Sequence, residues 1–137
     1  MVVDTSALVA VLMREPDQEA FAAAIHGASE AYVSVVSRVE LTAVLCGRRV
    51  GADPERVENS LQSFGLTLVA VTPEQARIAD RALLTFGKGR HPAKLNFGDC
   101  FAYALAKSLD APLLFKGEDF ARTDIVPAWR PPDQAGP

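Results

Sequence analysis

The chain has 137 residues, of which 49% are hydrophobic and 23% charged, and its formal net charge is −3. This is the composition of one globular domain with a real core, and it excludes a disordered or low-complexity chain. No apolar run approaches the length of a membrane span, and no basic stretch followed by an apolar one opens the sequence, so the expected setting is the cytoplasm with no membrane partner.

Cys46 and Cys100 sit in helical patterns without zinc spacing and read as buried free thiols. His26 and His91 have no sequence-local partner, which leaves a histidine metal site or a Ser/His/Asp triad poorly supported. The slightly acidic balance argues mildly against nucleic acid as a partner. Four of the acids are assigned below to one site, however, so the placement of the bases matters more than the total.

The first element is a short apolar run, Met1 to Val3, that ends in Asp4. It reads as a buried strand. Asp4 either points out of its carboxyl end or caps the next helix, since Asp is a favoured N-cap. The spacing predicts a helix over Ser6 to Arg14 and a second over Asp17 to Ile25, with Phe21, Ala24 and Ile25 inward and Gly27 at the end. Ala31 to Val33 is a short strand. Ser34 to Val50 reads as one long helix with Val36, Val39, Ala43 and Cys46 on its apolar face, broadened by Leu41, Val44 and Leu45, and closed by Arg48 and Arg49 at the negative end of its dipole.

Asp53-Pro54-Glu55 starts the next helix, which Gly65 stops. Leu66 to Val71 is a continuous apolar run, as in a strand buried on both faces. Thr72-Pro73-Glu74-Gln75 is a strong helix start, and Ala76, Ala79, Leu83 and Phe86 line the predicted core face. A basic, glycine-containing loop follows, Gly87 to Lys94. Asn96 to Leu109 is the clearest helix, with Phe97, Phe101, Ala104 and Leu105 along one stripe and the two phenylalanines read as core rather than as base-stacking platforms. Pro112 to Phe115 is a buried strand, Thr123 to Val126 a last short one, and residues 131–137 a flexible tail. Strands that alternate with helices predict a three-layer α/β/α sandwich around a parallel sheet of four or five strands, a single domain over residues 1–130.

Four acids stand out by position. Asp4 ends the first strand, Glu40 lies in the early turns of the helix after the second, Asp99 opens the helix before the Pro112 strand, and Asp119 follows that strand. In an open α/β sheet, ligands bind beyond the carboxyl ends of the strands. Asp4, Glu40 and Asp119 fit that edge directly, while Asp99 reaches it only if the basic loop carries its helix start across. Clustered carboxylates repel one another, and a hard divalent cation removes the conflict. Oxygen-only ligation favours Mg²⁺, with Mn²⁺ as a substitute. Such an ion can activate water and neutralise charge on a phosphoryl group. Each acid also has a plain structural reading: Ser37 stands three residues before Glu40 and Asn96 three before Asp99, both capping-box spacings, and Asp119 sits in a Gly-containing turn.

The segments Val3-Asp4-Thr5-Ser6-Ala7-Leu8 and Ser37-Arg38-Val39-Glu40-Leu41 resemble the first motifs of PIN-domain nucleases. The stretch from Gly87 through Asn96-Phe97-Gly98-Asp99-Cys100-Phe101-Ala102-Tyr103-Ala104-Leu105-Ala106, with Pro112 to Gly117 and Asp119-Phe120, is similar to the VapC branch of that family, toxins of bacterial toxin–antitoxin pairs. The resemblance implies a five-stranded parallel sheet and a Mg²⁺-dependent endoribonuclease. It carries the metal-binding and catalytic roles onto Asp4, Glu40, Asp99 and Asp119, with Ser6 as a supporting hydroxyl that orients water or a ligand. A VapB-type antitoxin that blocks the site and a toxin homodimer are also implied. Tyr103 stands where many PIN domains carry a further acid, which leans toward one ion, and Glu118 competes with Asp119 for the ligand role. The bases expected to hold RNA phosphates are Arg38, Lys88, Arg90, Lys94 and Lys116.

Two rival readings keep the same fold. One is a phosphoryl-transfer hydrolase using Asp4 as nucleophile, disfavoured because Ser6 stands where such enzymes carry a second acid. The other is a silent module that only binds an antitoxin.

Overall fold

A computed structural model describes residues 1–132. Strands β1 (Val2–Val3), β2 (Tyr32–Ser34), β3 (Thr67–Val69) and β4 (Leu113–Leu114) form one sheet in the order β3-β2-β1-β4, and every pairing is parallel. Between them run α1 (Thr5–Leu12), α2 (Gln18–Gly27), α3 (Val35–Leu45), α4 (Pro54–Ser63), α5 (Pro73–Phe86) and α6 (Phe97–Ser108), with a 3₁₀ turn at Phe120–Arg122.

The alternation of side chains along a strand divides the core into two layers. Val2 and Leu113 pack with Ala79, Ala82, Leu95 and Leu105 on the side of α5 and α6. Val3, Val33 and Leu114 pack with Leu8, Phe21, Leu41, Leu45 and Val57 on the side of α1 to α4. Strands β1 and β4 are fully buried and all apolar, as a sheet covered on both faces requires, and β4 is bordered in turn by the segment at Pro127. The three-layer α/β/α sandwich expected from the sequence is therefore present with four strands. The fifth strand is reduced to one parallel bridge, Leu113 to Pro127. Thr123 explains the reduction: its hydroxyl donates to the Phe120 carbonyl at 2.7 Å and accepts from the Ile125 amide at 3.2 Å, so residues 123–125 form a turn and not the predicted strand.

Other expectations are corrected. β3 is exposed, with Leu68 at 40%, because it is the edge strand and not a central one. Helix α3 ends at Leu45, so Arg48 and Arg49 lie beyond its last turn. Its buried face is Ser37, Leu41 and Leu45: the two leucines are inward as expected, but Ser37 replaces Val39, which is 66% exposed. On α5 the inward residues include Gln75, Ala79 and Ala82, and Leu83 faces out. Phe97 is 70% exposed and meets Phe101 edge to face rather than joining the core. Both cysteines are free, as expected, with Cys100 buried and Cys46 half-buried. Among the described residues no helix is long and apolar enough to cross a membrane. Part of the expected tail, residues 133–137, lies outside the described residues.

The corrected face of α3 is testable by urea unfolding. Leu41→Ala should cost about 2–5 kcal/mol, the usual range for emptying a packed leucine site. Val39→Ala should stay within about 0.5 kcal/mol, as surface substitutions do.

Candidate active site

The carboxyl edge of the sheet is built from the ends of β1 and β4 and the starts of α1, α3 and α6. Asp4 follows β1 directly and is only 3% exposed. The capping reading of this residue holds, and it leaves one oxygen over. Its Oδ2 accepts the Ser6 amide at 2.9 Å and the Ser6 hydroxyl at 2.6 Å, which caps α1. Its Oδ1 is buried with no hydrogen-bond partner. Burial pushes the Asp4 carboxyl above the ordinary range, and the Ser6 bonds pull it back only in part. A buried carboxylate oxygen without a donor is costly unless something outside the chain satisfies it.

Ser6 links this acid to β4. Its hydroxyl donates to Asp4 and accepts the Lys116 amide at 3.0 Å. The side chain fixes Asp4 and the exit of β4 together.

Glu40 is half-buried on α3. Ser37 does not form the capping box its spacing suggested, because α3 starts earlier, with the Ser34 hydroxyl accepting from the Val36 amide at 3.2 Å. Glu40 Oε1 instead takes a bond from the Thr5 hydroxyl at 3.1 Å, which also reaches the Ser37 carbonyl at 3.2 Å. Burial first, and then the charge of Asp4, raise the Glu40 carboxyl, against the Thr5 bond.

The start of α6 does reach this edge. Leu95 pairs with Gly87 and its amide donates to the Phe86 carbonyl at 3.0 Å, which turns the basic loop back on itself and delivers Asn96 beside α3. Asp99 and Asn96 form a capping box, Asp99 Oδ2 accepting at 2.8 Å and Asn96 Oδ1 at 2.9 Å. Even so, the Asp99 carboxyl is pushed up to about 7. Burial is the main cause, opposed by the Asn96 amide, and the charges of Asp4, Glu40 and Asp119 add to it. The four acids named from the sequence therefore share one electrostatic field. Asp119 is the exposed member, at the start of the 3₁₀ turn, where its side chain makes no cap bond. Glu118 lines a cavity beside it.

Two contributors were not singled out in the sequence. Thr5 holds Glu40, and Gly98 makes room for it, because a Cβ at Gly98 would run into the Glu40 carboxylate. Glycine inside a helix costs roughly 1 kcal/mol against alanine, so its place one residue before Asp99 was an available signal. Tyr103, one turn after Asp99, takes no part: its hydroxyl donates to Asp124 at 2.8 Å. Cys100 is buried, and burial and then the Asp99 charge push its thiol up to about 11, away from the thiolate form a nucleophile needs.

The expected phosphate-holding bases divide into two groups. Arg38 is paired with Glu58 at 2.9 Å, and Lys116 is paired with Glu15. Lys88, Arg90 and Lys94 are exposed on the loop that leads into α6, and among the described residues they form no ion pair. The donor set at the edge is all oxygen, which fits Mg²⁺ or Mn²⁺ rather than zinc or copper. Among the described residues, no three His, Cys, Asp or Glu side chains close around one point as a ready metal cage. Mg²⁺ is commonly held by one or two carboxylates while it keeps several waters, so an open acidic edge with one orphaned oxygen is compatible with it.

The raised Asp99 carboxyl has a stability consequence. A carboxyl whose folded value, about 7, exceeds its ordinary 3.8 favours the folded state below the lower value, and that contribution is lost as pH rises through the higher one. Asp99→Asn removes the penalty and should melt higher than the parent at pH 8 but not at pH 4. Thermal melts at the two pH values check this. The reading fails if the substitution has the same effect at both.

A PIN domain model matches residues 1–126. The chain is 48% identical over 126 residues to Ribonuclease VapC30 of Mycobacterium tuberculosis, covering 92% of this chain and 96% of that one. Among solved structures it is similar to a toxin–antitoxin complex from Klebsiella pneumoniae, with TM-score 0.69, 14% identity, and coverage of 93% of this chain and 97% of that one. It is also similar to the Mycobacterium tuberculosis VapC20, a Sarcin-Ricin loop cleaving toxin, with TM-score 0.72, 17% identity, and coverage of 95% and 98%. The strand order, the acids on one sheet edge and a family match over nearly the whole described chain agree: the chain belongs to the PIN domain family.

Proposed function

We propose that this chain is a Mg²⁺-dependent endoribonuclease, the toxin of a toxin–antitoxin pair, that hydrolyses RNA phosphodiester bonds at Asp4, Glu40, Asp99 and Asp119. The observation that carries the reading is the buried Asp4 carboxylate with an unpartnered oxygen, set among acids that raise the Asp99 carboxyl to about 7. It is supported by the 48% identical relative, which is named a ribonuclease.

Asp4, Glu40, Asp99 and Asp119 would hold the ion between them, some directly and some through water. When bound, the ion supplies charge neutralisation at the phosphoryl group and makes a water a better nucleophile at neutral pH. Mn²⁺ substitutes because it takes the same oxygen ligands. The chain's own contribution is positional. Ser6 fixes Asp4 against β4, Thr5 and Gly98 fix Glu40, and the capping box fixes Asp99. Lys88, Arg90 and Lys94 hold the RNA backbone near α6. Arg38 and Lys116 contribute less charge, since each is paired with an acid. Ser6 donates to Asp4 and carries no carboxyl to protonate a leaving group, which weighs against an aspartyl-phosphate route.

The partners that fit this reading are an RNA substrate and a VapB-type antitoxin; the Klebsiella pneumoniae neighbour is itself a toxin–antitoxin complex. A homodimer is the proposed assembly. Val35, Val36, Val39, Ala43 and Phe97 line an apolar surface next to Glu40, which a second copy would cover.

Asp4→Asn and Asp99→Asn should each slow RNA cleavage by roughly a hundredfold or more, the scale of losing one preorganised charge-stabilising group, and EDTA should abolish it until Mg²⁺ or Mn²⁺ is restored. Sequencing of new RNA ends after brief exposure reads the result, and cutting at the parent rate by either variant sinks the proposal. Ser6→Ala should cost roughly 10- to 100-fold, as loss of a supporting partner does. For the assembly, light scattering should give twice the chain mass for the parent and the chain mass for Val39→Asp. A monomeric parent refutes the dimer.

A further inference from the structure

A cavity of about 230 Å³ lies beside the acidic edge, between α2, the exit of β4 and the segment after the Pro127 bridge. Its apolar walls include Phe21, Phe115, Pro127 and Trp129, and Asp17, Lys116, Glu118 and Arg130 also line it. Trp129 is held edge to face against Phe21, with ring centroids 5.0 Å apart, and Phe115 is braced by Phe120 at 5.3 Å. Drug-sized ligands occupy pockets of roughly 300–1,000 Å³. This cavity is smaller, with room for one flat ring system rather than a whole nucleotide.

The cavity is tied to the candidate active site through covalent and hydrogen-bonded structure. Lys116, one of its walls, gives its backbone amide to the Ser6 hydroxyl at 3.0 Å, and that hydroxyl donates to Asp4 at 2.6 Å. The rim is also suited to a polar ring. Asp17 stands at the start of α2 with φ +72°, and its side chain makes no cap bond to that helix. Arg130 is exposed at the other side. The Asp17 carboxylate as acceptor and the Arg130 guanidinium as donor, beside aromatic walls, match the edges and faces of a nucleobase. Single-stranded RNA is read in this way, with bases splayed onto aromatic faces and bonded along their edges. A purely apolar peptide side chain would use the walls but leave the rim charges without partners.

We propose that this cavity is a base-binding subsite, taking one unstacked nucleobase of an RNA strand whose phosphodiester lies at the acidic edge. The proposal rests on the ribonuclease reading above. It assigns Trp129 and Phe115 to stacking, and Asp17 and Arg130 to the base edge.

Trp129 is the sole tryptophan of the chain, so its emission reports on this cavity alone. The intact protein is titrated with AMP, GMP, CMP and UMP, and with ribose 5-phosphate as a ringless control. At least one nucleotide should quench Trp129 saturably while ribose 5-phosphate leaves it unchanged. Ala121→Phe places a ring in the cavity from an exposed position of the 3₁₀ turn. It should remove the quenching and raise KM for RNA about tenfold, the scale of one lost stacking contact, with kcat nearly unchanged.

Absence of quenching by all four nucleotides overturns the proposal, as does equal quenching by ribose 5-phosphate or an unaltered titration in Ala121→Phe. A response only to a bound protein partner gives the cavity to that partner and overturns it too. RNA cleavage by the parent is scored separately. Cutting without quenching removes the subsite and leaves the ribonuclease reading standing. Quenching with RNA left intact removes both and marks a nucleotide site of another kind.

Discussion

The structure turns on the burial of one carboxylate. Asp4 closes β1 at the centre of the sheet, where solvent does not reach, and the chain supplies donors for only one of its two oxygens. Removing charge from water is expensive, and like charges nearby make it more so. Glu40 and Asp99 are brought to the same edge and have their own carboxyls raised. An arrangement of this kind contributes nothing to stability by itself. It is retained by the surrounding packing, chiefly the fully buried β1 and β4 and the two apolar layers that clamp them.

The carboxylates at the edge combine a helix-capping bond with an oxygen or a charge turned to the shared acidic edge, so a capping signature in the sequence neither supports nor excludes the proposed role. Asp4 caps α1 and also presents an orphaned oxygen. Asp99 completes the capping box of α6 and also joins the acidic field. Neither role excludes the other, because a carboxylate has two oxygens and a helix start needs only one. Only Glu40 departs from its capping signature, since α3 begins three residues earlier, at a buried Ser34 whose hydroxyl caps the helix.

Most of the architecture was legible in the sequence. Alternating strand and helix patterns marked the parallel sheet, and the Thr72-Pro73 and Asn96 signals placed α5 and α6. Which face of an element lies inside was less legible. Ser37 is polar and fully buried, whereas Val39 is apolar and exposed, so hydrophobicity made the inner face of α3 too wide and centred it off Leu41 and Leu45, the leucines that are buried. The apolar run at Leu66 looked like a central strand, but sequence does not encode sheet order, and β3 lies at the edge. The last strand was lost to a Thr123 turn and to Pro127, which has no amide to extend a ladder. The role of Thr5 depends on contact with Glu40, across a distance in the chain that no local pattern spans, whereas Gly98 leaves a local trace as a glycine in the first turn of α6.

The capping box at α6 carries a further consequence for how such a chain can change over time. The bond from Asn96 needs an acceptor at position 99 but no charge, and a carboxamide oxygen is nearly as good at a helix start as a carboxylate. One exchange of Asp for Asn therefore removes one charge from the edge while the helix keeps its first turn. If the proposed role of Asp99 holds, loss of chemistry and loss of shape are decoupled at this position. A lineage would then fall silent there and still display an unaltered surface to whatever binds it.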